Sequence, residues 1–328
     1  AEGQWRNSME STRSIRASEW PFLYPDWKAR KEVNLTFTPM LASIRNLYSP
    51  GVPLSFSRPA EVISRVSADG TSDVMGAIAN PALHSGEIFR VKAWVSTPNI
   101  AILRASGQDY PDIIKSFYLQ LPRNYSRRVQ NLARSLTANL TNPYDQVMAI
   151  TNYLRSTITY KETVPVPPNN RDPIEWFLFD LKQGFCNYYA SAEVLMLRSI
   201  GIPARLAVGY AEGESEVAGD FFQIRRRDSH AWPEVYFNGV GWVEVEPTTS
   251  HPLVALPEAE AAETPPDVAP GSNEPGGSME PRGEERAEEL DPDVTTGSVA
   301  QNPVLYLLVV IIPVGVLAAL GFLLYPGL

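Results

Sequence analysis

The chain has 328 residues, 44% of them hydrophobic, a formal net charge of −9 and a single cysteine. One cysteine closes no intrachain disulfide and builds no CxxC cluster, which excludes a disulfide framework and a structural zinc site. The acidity is local: residues 251–302 hold twelve carboxylates against two arginines, so the rest is nearly neutral and shows no basic stripe for nucleic acid.

Residues 1–31 carry Trp5, Trp20 and Trp27 among scattered Arg and Lys, with Pro21 and Pro25 breaking any helix, and predict an irregular lead-in. Residues 32–107 contain short alternating runs such as VNLTFT and IFRVKAWVS between Pro, Gly, Ser and Asn clusters, the pattern of a small β unit. From 109 to 158 the period becomes helical in YPDIIKSFYLQLP, RRVQNLARSLTANL and PYDQVMAITNYLRSTI, with Asn142, Pro143 and Asp145 as a start signal.

The stretch GFCNYYASAEVLMLRSIGIPAR, residues 184–205, holds the cysteine. Ala190, Val194, Leu197 and Ile200 mark one helical face, and Gly201 and Pro203 end it, so the helix runs from about Cys186 to about Ile200. Cys186 falls in the first turn. Free cysteine is most often a small buried hydrophobe. At a helix N-terminus, however, unpaired N–H groups and the dipole stabilise a thiolate, and the same N–H groups can receive an oxyanion.

A thiolate nucleophile needs a base. Of His84, His230 and His251, only His230 sits in a promising stretch, DSHAWPEVYFNGVGWVEVEPT, where two strand-like runs flank Asn238-Gly239. Val235, Phe237, Val243 and Val245 share one parity and should face a core; His230, Trp232, Glu234, Tyr236, Trp242, Glu244 and Glu246 share the other and should face a cleft or solvent. Placing His230 and Glu246 on one face requires a loop of odd length, for example 238–240, in register with Trp232 opposite Glu246. The three histidines lack HxxxH-type spacing, so no metal-dependent hydrolase and no cofactor is expected.

Residues 251–303 are rich in Pro, Gly, Ser and Glu and predict a disordered linker. The 21 uncharged residues 304–324, VLYLLVVIIPVGVLAALGFLL, would span roughly 30 Å as a transmembrane helix placing the chain in a lipid bilayer.

The order Cys186, His230, Glu246 supplies a nucleophile, a general base and a carboxylate to orient the imidazole. GFCNYYASAEVLMLRSIGIPARLAVGY followed by DSHAWPEVYFNGVGWVEVEPT resembles the core of transglutaminase-like proteins, above all their bacterial membrane-anchored branch. The resemblance implies an α+β, papain-like fold over 108–250: N-terminal helices, then a nucleophile helix packed on an antiparallel sheet. By position it puts Cys186, His230 and Glu246 on the catalytic cysteine, histidine and acid. It also implies an acyl-thioester on Cys186, a peptide or protein substrate with a glutamine-like or other amide donor, and an amine or water as acceptor. The domain would lie on the extracytoplasmic side of a cell membrane. Two departures stand out: Glu246 where relatives carry Asp, and Asn187 where the residue after the cysteine is often acidic. Gln183 and Trp176 are candidates for a second oxyanion donor, and Trp232 for the cleft wall. The rival readings are a cysteine peptidase or amidase with water as acceptor, and a non-catalytic domain binding a peptide or cell-wall strand in the same cleft.

Overall fold

The computed structural model describes residues 5, 11–41, 43–215 and 221–257. Most of the expected linker and the whole of the expected span 304–324 lie outside them; among the described residues no helix is long and apolar enough to cross a membrane.

The first part of the chain is all strand: β1 (Ser11–Ile15), β2 (Arg30–Phe37), β3 (Ser43–Asn46), β4 (Val52–Phe56), β5 (Ala60–Val66), β6 (Ser72–His84) and β7 (Phe89–Ser96). They form a four-stranded sheet in the order β1-β5-β6-β3 and a three-stranded sheet in the order β2-β7-β4. Alternation decides what each strand buries. Phe89, Val91 and Ala93 of β7 point inward while Arg90 and Lys92 point out, and they meet Ala60, Val62, Ala77 and Ala79 of the other sheet in one core. The lead-in expected to be irregular contributes to this unit. Ser11–Ile15 pair antiparallel with β5, and Phe22 enters the core. That pairing spans some fifty residues of sequence, which no local pattern encodes.

Helices follow: α1 (Ile100–Arg104), α2 (Asp112–Tyr118), α3 (Arg127–Thr137) and α4 (Pro143–Thr157). Asn142 caps α4 by accepting from the Asp145 N–H, with Pro143 in the first turn, as the sequence predicts. Leu103 of α1 already belongs to the second core, ahead of the expected boundary at 108. Then come β8 (Thr159–Tyr160), α5 (Pro173–Glu175), a π-helical turn over Trp176–Leu181, β9 (Gln183–Gly184) and α6 (Cys186–Ser199). β10 (Ala204–Tyr210), the short pair β11 (Glu214–Ser215) and β12 (Phe222–Gln223), β13 (Ser229–Phe237) and β14 (Gly241–Glu244) complete the described elements.

The sheet β10-β13-β14 is antiparallel and receives α6 on one face. Val194 and Leu197 of α6 meet Val235, Phe237, Val243 and Val245 there, all on the parity expected for the core. Phe237 pairs with Gly241, leaving the three-residue loop 238–240, and Gly239 and Gly241 take φ values of +72° and +85°. The opposite face is not open, contrary to expectation. Tyr236 and Trp242 are buried there against Tyr110, Ile114 and Tyr118.

That face also carries the junction with the β unit. Asp73 of β6, itself buried, accepts from Arg205 Nη1 at 2.9 Å, from Trp242 Nε1 at 3.2 Å and from the Tyr118 hydroxyl. Arg205 Nε donates to Glu234 at 2.6 Å, and its ring-facing guanidinium lies 4.2 Å from the Trp242 centroid.

Candidate active site

The approach to Cys186 is fixed on both sides. β9 pairs in parallel with β8, Tyr160 opposite Gly184, and the Lys161 N–H donates to the Gly184 carbonyl at 2.8 Å. Phe177 of the π-helical turn closes on Gly184 so tightly that a Cβ there would meet its ring at 2.7 Å. The chain then turns into α6, whose body is buried from Tyr189 to Leu197 except at Ser191. Cys186 is half-buried in the first turn of this helix. Its thiol faces solvent on one side and the start of β13 on the other.

His230 sits at that start, paired with Gly209 of β10. Its Nε2 lies 2.6 Å from Glu246 Oε2, and both side chains are almost fully buried. The other carboxylate oxygen accepts the Thr248 N–H at 2.7 Å. The extra methylene of Glu246 thus reaches the ring and still uses both oxygens. With Nε2 taken by Glu246, Nδ1 is buried and without a hydrogen-bond partner, and it is the nitrogen left for the Cys186 thiol.

Burial pushes the Cys186 thiol up, but its hydrogen bond with His230, the Ala231 and Asn187 backbone and the imidazolium charge hold it below the usual thiol range. Burial alone would depress His230; Cys186 and Glu246 instead raise it to about 9. Burial likewise opposes ionisation of Glu246, and its bonds to His230 and Thr248 keep it below the ordinary carboxylate range. These shifts all favour the charged form of each group, thiolate, imidazolium and carboxylate.

This ordering predicts a pH profile. A lowered thiol beside an imidazole raised to about 9 favours an ion pair, so alkylation of Cys186 by iodoacetamide should persist below the pH of a free thiol. Replacing His230 with alanine should return the reactivity to a titration near about 8.5. A wild-type profile already at that value would remove the ion pair.

Three neighbours of the set were not legible in the sequence. The His251 ring stacks on His230 with centroids 4.0 Å apart and an interplanar angle of 17°. It was expected to open the disordered linker; burial and the His230 charge hold it below the usual imidazole range. Arg155 of α4 donates to the carbonyls of Glu246, Thr248 and His251 at 3.1, 2.8 and 3.1 Å, pinning the segment that carries the acid. Glu193 is wholly buried in α6 and bonded to Thr151 Oγ1 at 2.6 Å, and burial pushes its carboxyl up to about 8. Thr151 Oγ1 is the donor to this carboxyl, and it also lies 3.0 Å from the Val147 carbonyl. No motif signals any of these three.

Trp232 lies 5.9 Å from the His230 ring and near parallel to it, half-buried, which suits the expected cleft wall. Trp176 lies on the π-helical turn and Gln183 on β9, and neither side chain hydrogen-bonds to the Cys–His–Glu set among the described residues. Asn187 Oδ1 is 3.8 Å from Sγ.

His230, Glu246 and His251 also place potential metal-ligand atoms within 4.8 Å of one another, a juxtaposition that sequence spacing did not suggest. The 2.6 Å contact between His230 and Glu246 is a hydrogen bond. Two ligands of a tetrahedral zinc lie about 3.3 Å apart, so an ion would have to prise that bond open.

Residues 130–247 match the family model of the transglutaminase-like superfamily. An uncharacterized protein of Bacillus subtilis, YebA, is 34% identical over 207 residues, 58% of this chain and 27% of that protein. A protein-glutamine gamma-glutamyltransferase of Pseudomonas aeruginosa is 36% identical over 160 residues, 49% of this chain and 23% of that protein. The chain therefore spans about a quarter of the length of these curated relatives. The crystal structure of the periplasmic domain of TgpA from Pseudomonas aeruginosa shares the fold, with a TM-score of 0.52 at 24% identity over 74% of this chain and 76% of that one. Its ethylmercury-bound form gives 0.50 at 26% identity, over 72% and 76%. Residues 130–247, which hold Cys186, His230 and Glu246, thus form a transglutaminase-like domain.

Proposed function

We propose that the chain is a cysteine-dependent acyl transferase of transglutaminase type, working through a thioester on Cys186. The observation that carries this reading is the Cys186–His230–Glu246 set, with a thiol held below its usual range at a helix N-terminus. The thiolate attacks a carboxamide carbon. His230 passes its proton to the departing nitrogen, ammonia leaves, and a thioester remains. An amine then attacks, gives its proton to His230, and takes the acyl group. Glu246 holds the ring so that Nδ1 faces the sulfur throughout.

The substrate class is a peptide or protein with a glutamine-like carboxamide. Water competes as acceptor because Cys186 is only half-buried, so hydrolysis accompanies transfer. The name of the Pseudomonas aeruginosa relative supports a glutamine donor. The periplasmic setting of TgpA and the apolar run at 304–324 support a membrane tether with the domain outside the cytoplasm.

The test is direct. A glutamine-containing peptide supplied with a fluorescent primary amine should release ammonia and gain the amine, and intact-protein mass spectrometry of the quenched enzyme should find the peptide acyl group on Cys186. Absence of both ammonia and adduct across a panel of carboxamide peptides would overturn the acyl-transfer reading.

A further inference from the structure

We infer that His251 is a positioning residue for the catalytic base: its ring lies flat on His230 and holds the imidazole in the plane that serves both Glu246 and Cys186. The inference rests on the reading above of His230 as the base. It concerns a freedom that the three residues leave open. The His230 ring is tied to β13 at its Cβ and to Glu246 Oε2 through Nε2 at 2.6 Å, while its buried Nδ1 has no hydrogen-bond partner. Rotation about χ2 is soft for histidine, because that torsion joins sp³ and sp² atoms and its wells are broad. Such a swing carries Nε2 off the carboxylate and Nδ1 away from the thiol. A flat surface against the face of the ring blocks it.

His251 supplies that surface. Its ring centroid lies 4.0 Å from that of His230 with 17° between the planes, whereas Trp232, also near parallel at 20°, is 5.9 Å away. The covering ring is itself anchored at three points. The His251 N–H donates to the Thr248 carbonyl at 3.2 Å, its carbonyl accepts from Arg155 Nη2 at 3.1 Å, and its Nδ1 lies 3.1 Å from Ser250 Oγ. Arg155 Nη1 meanwhile donates to the carbonyls of Glu246 and Thr248 at 3.1 and 2.8 Å. One guanidinium from α4 therefore sets both the residue whose carboxylate grips Nε2 and the residue whose ring covers the face.

Charge fits the same arrangement. The groups facing the His251 ring are the His230 imidazole of β13, the Glu246 carboxylate and the Arg155 guanidinium of α4; burial and the two cationic neighbours favour its neutral form. A neutral ring turns its π face to the imidazolium, inside the distance of about 6 Å over which a cation and a ring face attract. A second imidazolium at 4.0 Å would repel it. His251 takes no proton in the proposed cycle and acts through His230. Any flat, uncharged ring of similar size should do the same, which makes phenylalanine the discriminating replacement.

The experiment compares the full chain with its His251→Ala and His251→Phe variants in two assays. Iodoacetamide alkylation of Cys186 against pH reads the partnership of the thiol with His230; ammonia release from a glutamine-containing peptide reads turnover. In His251→Ala the alkylation midpoint should move upward, part of the way to the His230→Ala profile, and kcat should fall by up to about 10²-fold with KM little changed. His251→Phe should restore most of both. An alanine variant whose alkylation profile coincides with wild type overturns the inference. So does a phenylalanine variant displaced as far as the alanine one, because the polar contacts of His251 and not its flat face would then be what matters. A wild-type chain that releases no ammonia overturns the acyl-transfer reading alone, and the alkylation profiles still decide the role of His251.

Discussion

Replacing Cys186 with alanine should lower ammonia release from a carboxamide peptide by at least about 10⁴-fold, with the unfolding midpoint unchanged. The two halves have separate causes. All bond-making in the proposed cycle passes through the sulfur, and no other cysteine exists in the 328 residues to replace it. Serine at the same position should fare no better, because a hydroxyl is far less acidic than a thiol whose ionisation its surroundings already favour. Stability is a different matter. The side chain is small, half-buried and at a helix end, where substitutions usually shift stability by no more than about 0.5 kcal/mol. Turnover within tenfold of wild type in the alanine variant would refute the covalent mechanism.

The second large effect concerns stability. Asp73→Ala should cost about 3–5 kcal/mol, read as a lower urea midpoint with an unchanged slope. Asp73 is the point where the β unit is charged against the catalytic sheet. It accepts from Arg205, Trp242 Nε1 and the Tyr118 hydroxyl in a buried setting. Burial alone would lower the Arg205 guanidinium, and Glu234 and Asp73 together hold it above its usual range. Without Asp73 the guanidinium keeps one carboxylate, and Trp242 Nε1 loses the acceptor it has now. Asp73→Asn, which retains an acceptor for Trp242, should lose less. If the alanine variant unfolds within 1 kcal/mol of wild type, the junction is held by aromatic packing and the charges contribute nothing net.

Much of the catalytic half was legible because its signals are local. The period of three and four residues from Ala190 to Ile200, closed by Gly201, gave α6 and put Cys186 at its start. Side-chain parity gave the odd loop 238–240 and with it the convergence of His230 and Glu246. The rest depends on contacts that cross large distances in sequence. β1 forms only because β5 lies beside it. The polar-looking face of β13 and β14 is buried because α2 and the β unit cover it, and amphipathic alternation says nothing of a second layer. His251 is invisible for another reason. It follows the last strand at the edge of a Pro- and Glu-rich segment, where composition argues for a tether, while Arg155, almost a hundred residues earlier, ties it down.

The resting ion pair carries a liability as well as a reactivity. A half-exposed thiol held below its usual range is open to peroxide, which converts it to a sulfenic acid. Many oxidised cysteines are rescued by a second thiol nearby, which traps the sulfenate as a disulfide. These 328 residues contain no other cysteine, so none of them can act as that trap. Reactivation after mild oxidation needs a thiol from outside these residues that can enter the same cleft, and prolonged exposure carries the sulfur to the irreversible sulfinic state. The activity of this domain is thereby tied to the reducing power of its surroundings.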